Sequence, residues 1–365
     1  MAERAPAFSA DDDRRFMGAA IRLGRRHLGR TAPNPSVGAL VVAGEGASAR
    51  IAGQGITAPS GRPHAEPQAL AMAGAAARGS TVYVSLEPCA HFGRTPPCAN
   101  ALIEAGVARV VYALDDPDSR VAGKGRAMLE AAGIAVTSGV LAAEAREAHR
   151  GHISRVVRGR PFVTLKLAVS RDGCIGLAGT GQVAITGSEA RRAVQALRIE
   201  ADAIAVGQGT ADADDPQLTV RLDGLASFSP LRVVFSGGAP LAGHLAETGA
   251  ETLRVLAEGR GGRDGDVIVP ANAEGRPSIP AALGALAARG ISSLLVEGGA
   301  RLVRAFLDAD AVDEILLFQG TTTLGADGVR AFGTDGPDYI SRLGRFARLE
   351  DVSYGADRMT RYLKR

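Results

Sequence analysis

The 365-residue sequence is poor in aromatic residues and has no long hydrophobic run. Tryptophan is absent and all aromatics together make up 4% of the chain, which argues against a stacking platform for single-stranded nucleic acid. The apolar stretches are strand-sized and interrupted by glycine or charge, far short of the roughly 20 residues that a membrane-spanning helix needs. We therefore expect no nucleic-acid partner and no membrane role.

Cysteine is also scarce. Three cysteines cannot form a disulfide framework in a chain of this size, and the first residues lack the basic-then-apolar pattern of a secretory signal. Free thiols are typical of a reducing compartment, so we expect the protein to be cytoplasmic.

The length and the order of predicted elements indicate two α/β domains, because 365 residues exceed what one compact core usually supports. Asp11 to Asp13 can cap a helix whose apolar positions Phe16, Ala20, Leu23 and Leu28 recur at helical spacing. Strand-like runs then alternate with helical stretches, which predicts a largely parallel sheet. These runs cover residues 38–42, 81–86, 109–113, 134–138, 161–170, 203–206, 231–235, 293–297 and 313–318.

A charged, alanine-rich segment over residues 140–158 separates the two halves. It ends at Gly159-Arg160-Pro161, which stops a helix. We place the domain boundary in that segment.

Four residues of the first half form a metal-site pattern. His64 and Glu66 begin a predicted helix, and Cys89 and Cys98 follow a strand and precede another helix. One imidazole and two thiolates leave the fourth position of a tetrahedral zinc open to water, and a non-ligating carboxylate such as Glu66 can shuttle protons. The H-x-E…P-C order is the signature of zinc deaminases. His91 is the alternative ligand.

Taken singly, these residues have ordinary explanations. A free cysteine is often a small buried hydrophobe, and a lone histidine is more often structural than a ligand. Their joint order favours the metal site, whereas Cys174, far downstream, is interpreted as a bystander.

The loop between the two cysteines, PCAHFGRTPPC, is longer than the two-residue spacing common in nucleoside and transfer-RNA deaminases. It resembles the deaminase domain of the bifunctional riboflavin-biosynthesis deaminase-reductases, as do NPSVGALVV, GRPHAE and DDPDSRVAGKG. The second half continues the resemblance in PFVTLKLAVSRDG, ITGSEARRAVQALR, DAIAVGQGTADADDPQLTVR and LLVEGGARLVRAFL. The resemblance implies a cytidine-deaminase-like three-layer α/β/α domain over residues 11–150 and a dihydrofolate-reductase-like α/β domain over 160–365.

The same resemblance implies a two-step enzyme. A zinc-dependent domain would deaminate 2,5-diamino-6-(5-phosphoribosylamino)pyrimidin-4-one, and an NADPH-dependent domain would reduce the ribosyl group of the product to ribityl. The expected cofactors are Zn²⁺ and NADPH, the expected partner is a small pyrimidine ribotide, and we expect a homo-oligomer.

Residues carried over by position complete the two sites. Asn34 would bind the pyrimidine, and Arg94 could grip the ribose phosphate where the family usually has lysine. The remaining substrate contacts would be Gln182, Arg198, Leu218, Arg221 and Glu297. The NADPH contacts would be Ala168, Ala184, Thr210, Asp214, Ser236, Gly299, Ala300, Arg301, Leu302, Val303, Arg304 and Ala305.

The segment EGGARLVRAFL carries its own signal for a cofactor. A strand ends at Glu297, a Gly-Gly turn follows, and a helix begins near Ala300, so that helix N–H groups suit a pyrophosphate. By itself such a turn is more often only a turn, and the six-residue Rossmann fingerprint is missing. Asp214 and Glu297 are the candidate proton donors.

Besides Arg94, the chain departs from the family pattern at four positions. Thr57 stands where the family usually has a histidine that helps to bind substrate. Gln182 replaces a common serine, Ala184 a common tryptophan, and Cys174 a common lysine or arginine.

Because of the departures at Thr57, Cys174 and Ala184, a variant in which only one of the two domains is active stays open at this stage. Two alternative functions also stay open. One is a single-function zinc deaminase of nucleosides or nucleic acid with a C-terminal binding module. The other is a non-catalytic scaffold stabilised by zinc.

Overall fold

The computed structural model describes residues 8–92, 96–118, 122–247, 250–333 and 339–365. The chain divides into two compact units, Met1–Gly159 and Arg160–Arg365. Within the described part of the chain, no helix combines the length and the hydropathy needed to cross a bilayer.

The first unit is built on a five-stranded mixed sheet with the order β2-β1-β3-β4-β5. β1 pairs antiparallel with β2 and β3, whereas β3, β4 and β5 run parallel. The predicted parallel arrangement therefore holds for only half of this sheet. Its elements are α1 (Ala10–Arg25), β1 (Gly38–Ala43), β2 (Arg50–Ile56), α2 (Ala65–Ala73), β3 (Thr81–Val84), α3 (Cys98–Glu104), β4 (Arg109–Tyr112), α4 (Lys124–Ala131), β5 (Ala135–Ser138), α5 (Ala142–Ala148) and α6 (Arg150–Arg158).

Helices cover both faces of this sheet. On one face, α1 and α5 bury a cluster that includes Phe16, Met17 and Tyr83. On the other, α2, α3 and α4 bury a cluster that includes Leu102 and Leu129. The unit is thus the three-layer α/β/α sandwich that the resemblance implied.

The N-terminus of α1 differs from the sequence prediction. Ser9 is the N-cap: its hydroxyl accepts from Asp12 N at 3.1 Å, and the Asp12 carboxylate accepts in return from Ser9. Because Ser9 occupies the N-cap, the aspartates lie inside the first turn of the helix, where their charges complement the helix dipole. The helix ends at Arg25, and Leu28 lies beyond it.

β2 was not predicted because two of its residues are glycines that interrupt the alternation of side chains. A Cβ atom on Gly55 would lie 2.0 Å from the Ala65 carbonyl oxygen, and one on Gly53 would lie 2.1 Å from the Ala69 carbonyl oxygen. These contacts are possible only without a side chain, so the backbone of α2 lies directly on β2.

The second unit contains a nine-stranded sheet with the order β11-β10-β9-β8-β12-β6-β13-β16-β15, and a small sheet of β7 and β14. The pairings from β11 to β13 are parallel, and the last two are antiparallel. Its elements are β6 (Phe162–Val169), β7 (Cys174–Leu177), α7 (Ser188–Ile199), β8 (Ala203–Gly207), α8 (Gln208–Asp214), β9 (Leu231–Phe235), β10 (Thr252–Ala257), β11 (Val267–Val269), α9 (Ile279–Ala288), β12 (Ser293–Val296), α10 (Ala300–Asp308), β13 (Glu314–Gln319), β14 (Gly328–Arg330), α11 (Tyr339–Arg342), β15 (Phe346–Tyr354) and β16 (Asp357–Lys364).

The parallel strands explain the near-continuous apolar runs of the second half, because such strands are buried on both faces. Val163, Val255 and Val296 are fully buried in the main core, and Phe306 of α10 packs edge-on against Phe235 with ring centroids 5.5 Å apart. The carboxyl ends of β8, β12 and β6 lie side by side, which is where α/β sheets place ligands.

Candidate active sites

Three side chains of the first unit converge as metal ligands. His64 Nδ1 lies 3.3 Å from Cys98 Sγ and 3.8 Å from Cys89 Sγ, and all three donor atoms lie within 4.8 Å of one another. Among the described residues they form the group of histidine, cysteine and carboxylate side chains suited to a metal ion. His91, the alternative ligand, is exposed and is not in this group.

The ends of secondary-structure elements set this geometry. His64 is the N-cap of α2, Cys98 is the first residue of α3, and Cys89 lies in the loop after β3. The backbone N–H of Cys98 donates to Cys89 Sγ at 3.2 Å, so the start of α3 already holds the second sulfur in place. Two helix N-termini therefore face the ligand cluster and favour negative charge there.

The electrostatics of the cluster suit a divalent cation. A hydrogen bond from the Cys98 thiol, together with His64, lowers the pKa of Cys89 to about 4, whereas the same pairing and burial raise the pKa of Cys98. Cys89 is thus a thiolate at neutral pH, and thiolate with imidazole is the donor set that zinc prefers. The residues present fit a zinc ion with three protein ligands.

Glu66 lies in the first turn of α2 and is only 4% exposed. Burial, and after it the Cys89 charge, raise the pKa of Glu66 to about 7, although His64 opposes the shift. The carboxyl group also lies within hydrogen-bonding reach of the Cys98 thiol. A carboxyl group that titrates near neutral pH next to a metal site can both accept and release a proton.

The loop around the metal cluster is held by backbone and amide contacts. Asn34 Nδ2 donates to the Gly61 carbonyl at 2.8 Å, so this predicted substrate ligand already supports the loop before His64. Thr57 is buried: its hydroxyl accepts from Val37 N at 3.0 Å, and its carbonyl faces His27 Nδ1 at 2.8 Å. The threonine at the family's histidine position is therefore a structural residue here. Arg94 lies outside the described residues.

A second cluster lies in the other unit, at the carboxyl end of β12. Arg198 of α7 donates to both oxygens of Glu297, with Nε to Oε1 at 2.9 Å and Nη2 to Oε2 at 3.1 Å. Lys166 Nζ lies 3.5 Å from Glu297 Oε2. Burial alone would raise the pKa of Glu297, but Lys166 and Arg198 together lower it to about 2. Glu297 is therefore ionised across the physiological range.

The same strand end faces the start of α10. Gly299 is the N-cap of this helix, and its N–H donates to Thr210 Oγ1 at 3.0 Å. A Cβ atom on Gly299 would also lie 3.0 Å from that oxygen, so the turn passes close to α8. Thr210 and Gly299 thus meet at the N-terminus of α10, and a helix N-terminus suits an anionic group.

The other predicted cofactor residues are more scattered. Leu302 and Val303 are buried in the main core, so their side chains face away from a ligand, and Arg304 is exposed and paired with Asp308 at 2.8 Å. Ser236 is buried and its hydroxyl accepts from Gly238 N at 3.1 Å. Arg301 is exposed, and three further residues are half-buried: Ala168, Ala300 and Ala305.

Asp214 is the last residue of α8, and burial raises the pKa of its carboxyl group. Leu218 follows it closely in sequence, is buried, and adopts the left-handed region with φ of 56°, which a leucine rarely does. Arg198 Nη1 donates to the Thr219 carbonyl at 2.8 Å, so this irregular segment is held against the Glu297 cluster. Backbone strain of this kind is typical of binding sites.

Two further predicted substrate residues and one cofactor residue lie apart from the Glu297 cluster. Gln182 and Arg221 have exposed side chains. Ala184 is exposed and lines an open cleft of about 330 Å³ together with Thr321 and Asp357. The structure shows no contact that joins these side chains to Glu297.

Sequence reasoning missed Lys166. A signal was present, because this lysine interrupts the apolar run PFVTLKLAVS in what becomes a central strand of the parallel sheet. A charged residue in such a strand is expensive unless it is paired at a site.

Two family models match separate parts of the chain. The model described as the cytidine and deoxycytidylate deaminase zinc-binding region matches residues 10–114, and that of the RibD C-terminal domain matches residues 161–356. The chain is 37% identical over 343 residues to the riboflavin biosynthesis protein RibD of Escherichia coli, covering 86% of this chain and 89% of that one. It is 38% identical to that of Bacillus amyloliquefaciens, with coverage of 93% and 90%.

Solved structures of similar proteins superpose on almost the whole chain. The structure of Acinetobacter baumannii RibD superposes with a TM-score of 0.86 at 34% identity, covering 98% of this chain and all of the other. A Thermotoga maritima protein described as a diaminohydroxyphosphoribosylaminopyrimidine deaminase and 5-amino-6-(5-phosphoribosylamino)uracil reductase superposes with a TM-score of 0.84 at 31% identity, covering 98% and 99%.

Proposed function

The chain belongs to the RibD family of bifunctional riboflavin-biosynthesis enzymes, and we propose from this that it carries out both reactions on a phosphorylated pyrimidine ribotide. It is a zinc-dependent deaminase and a reductase that uses NADPH. The first proposed substrate is 2,5-diamino-6-(5-phosphoribosylamino)pyrimidin-4-one, and the second is its deaminated product. We assign the deaminase to residues 11–150 and the reductase to residues 160–365.

The observation that carries the deaminase assignment is the meeting of His64, Cys89 and Cys98 beside the buried Glu66. We assign the first three as zinc ligands and Glu66 as the catalytic acid and base. A zinc ion held by these three ligands would bind a water and lower the pKa of that water to about 7. Glu66 would take a proton from the attacking water at its carboxylate and deliver it to a ring nitrogen or to the leaving amine of the substrate, which a pKa of about 7 allows near neutral pH.

Asn34 and Arg94 are proposed to bind the substrate of this domain. The Asn34 side chain keeps its carbonyl oxygen for a ligand while its Nδ2 donates to Gly61. A guanidinium at position 94 can bind the ribose phosphate bidentately.

The observation that carries the reductase assignment is the Glu297 cluster at the start of α10. NADPH supplies the hydride, and the protein must align it with the sugar carbon. Because Lys166 and Arg198 keep Glu297 ionised, this carboxylate accepts hydrogen bonds from the substrate and is not the proton donor. Asp214, whose pKa burial raises, stays the candidate for that role.

The remaining proposed contacts follow the family positions. For the substrate these are Gln182, Arg198, Leu218 and Arg221. For NADPH these are Ala168, Ala184, Thr210, Asp214, Ser236 and Gly299 through Ala305, the buried Leu302 and Val303 through their backbone. Thr210 and Gly299 carry this assignment best, because they already contact each other.

We also propose that the protein is a cytoplasmic homo-oligomer that acts on small molecules and binds neither nucleic acid nor membranes. The low aromatic content and the small net charge of +3 support the absence of a nucleic-acid partner. The alternative of a single-function deaminase with a C-terminal binding module is not favoured, since the second half matches the RibD reductase domain.

The decisive experiment assays both half-reactions on the zinc-loaded protein. We expect ammonia release from the diaminopyrimidinone ribotide and NADPH consumption on the deaminated product. Zinc removal by a chelator should abolish the first activity and leave the second. No ammonia release with stoichiometric zinc would refute the deaminase assignment, and no NADPH consumption on authentic product would refute that of the reductase.

A further inference from the structure

Two buried histidines lie at the start of helix α6, and the proposed chemistry uses neither of them. His149 immediately precedes α6, and His152 lies three residues later, so both project from one face of the helix. Their exposed fractions are 2% and 9%. Burial lowers the pKa of His149 to about 4, so that imidazole is neutral at physiological pH.

Both histidines contact the loops that follow strands of the deaminase sheet. His149 Nε2 lies 3.2 Å from the hydroxyl of Ser85, directly after β3. His152 Nε2 lies 3.4 Å from Asp116 Oδ1, in the loop after β4. The loop after β3 continues within four residues from Ser85 to the ligand Cys89.

Asp116 connects these loops further. Its carboxylate also accepts from Asp118 N at 2.9 Å, and its own N–H faces Glu87 Oε2 at 3.4 Å. The buried Glu87 carboxylate accepts in addition from Gly123 N at 3.0 Å and Arg126 N at 3.2 Å, at the start of α4. Glu87 is two residues before Cys89, so the contacts run from α6 to the metal-ligand loop.

The buried His152 side chain has an unsatisfied ring nitrogen, which lowers the stability of the fold. If Nε2–H donates to the Asp116 carboxylate, Nδ1 is a lone-pair acceptor, and it is buried without a partner among the residues that the structure describes. An apolar side chain of similar volume would fill the space without this loss. Such local exceptions to good packing are expected where a residue serves function.

We propose that His152 is a positioning residue of the deaminase, which holds Asp116 and, through Glu87, the loop that carries Cys89. This inference rests on the proposed deaminase function. His152 touches neither metal ligand nor substrate in the structure. Its effect therefore falls on the rate of the chemical step, because small displacements of a reacting group lower rates steeply.

The test compares His152→Leu, which keeps the volume and removes the donor, with His152→Gln, whose amide can donate from the same end of the side chain. For His152→Leu we expect an unchanged or higher Tm, full zinc content, a kcat of ammonia release about tenfold lower, and a KM changed less than threefold. His152→Gln should recover most of the kcat. Val157→Ala, at an exposed position of α6, is the matched control and should behave as wild type.

A second variant separates positioning from folding. Asp116→Asn should lower kcat to a similar extent, and the double variant with His152→Leu should be no slower than either single variant, as expected for residues that act together. Wild-type kcat in His152→Leu would overturn the proposal, as would a raised KM at normal kcat, a loss that parallels zinc loss, or additive effects. Full zinc content shows that the deaminase unit of each variant is folded, and reductase activity shows the same for the second unit. Inactive wild type would instead refute the proposed function.

Discussion

Replacing Glu66 by glutamine should nearly abolish deamination while the metal site stays intact. The substitution preserves the size of a side chain that is 4% exposed, and it removes only the ability to take up and release a proton. Glu66 is not one of the three clustered ligands, so zinc content should stay at one per chain. Because positioned acid-base groups contribute about 10²- to 10⁴-fold, we expect a loss of kcat equivalent to roughly 3 to 5 kcal/mol.

The same substitution should stabilise the metal-free protein at neutral pH. Burial moves the pKa of Glu66 from 4.5 to about 7, so the folded state holds this proton more tightly than the unfolded state. The stability that Glu66 contributes is therefore fully present below about pH 4.5 and is lost as the pH rises to about 7. The shift corresponds to about 3 kcal/mol, which Glu66→Gln should restore in chelated protein at pH 8.

The assay measures ammonia release, zinc content, NADPH consumption on the deaminated product, and unfolding of chelated protein between pH 5 and 8. Glu130→Gln is the matched control, since Glu130 is an exposed carboxylate paired with Arg126 on α4. If Glu66→Gln retained more than a tenth of the wild-type kcat with full zinc occupancy, the role of Glu66 as proton carrier would be refuted. A pH-independent stability difference between the two proteins would contradict the raised pKa.

Three further predictions concern the second unit. Glu297→Gln should abolish reduction and lower the unfolding free energy by roughly 3 to 5 kcal/mol at pH 7, because it leaves two buried cations uncompensated. Since the pKa of Glu297 is about 2, this loss should shrink as the pH falls from 4.5 towards 2, and a constant loss would contradict the ion pairs. Thr210→Val should raise the KM for NADPH several-fold without changing deamination, since the N–H at the start of α10 loses its acceptor; an unchanged KM would remove Thr210 from the cofactor site. Phe306→Ala should lower the unfolding free energy by about 3 to 5 kcal/mol in denaturant titrations, because the ring is fully buried against Phe235, and a loss under 1 kcal/mol would show that the core refills the space.

The metal cluster could be predicted from sequence because ligand chemistry restricts residue types severely. One histidine and two cysteines with a nearby carboxylate rarely occur together except at metal sites. The H-x-E…P-C order of these residues predicted that Glu66 is not a ligand. The role of Thr57 could not be predicted in this way. The Thr57 hydroxyl does not take over the role of the family's histidine; it accepts a hydrogen bond from Val37 N. These residues are 20 positions apart, and only the folded hairpin brings them into contact.

The fold could be predicted where patterns were strong. Alternating strands and helices predicted β3 to β5 of the first sheet and β6, β8, β9, β12 and β13 of the second, but not the parallel strands β10 and β11. The glycines of β2 concealed a further strand, whose exposed and buried positions do not alternate in hydrophobicity. Lys166 was missed because a lysine in an apolar run is read as an interruption. Its pairing with Glu297 joins residues 131 positions apart, and no local pattern contains that information.

The direct contact of α2 with β2 has a consequence for how this pocket can be altered by evolution or design. No layer of side chains separates strand and helix at Gly53 and Gly55, so the depth of His64 and Glu66 in the molecule is set by the thickness of two backbones. Any larger residue at either glycine would lift the helix together with both functional groups. Selection on the catalytic centre should therefore preserve these two glycines as strictly as the ligands, although neither has an atom that could take part in the reaction.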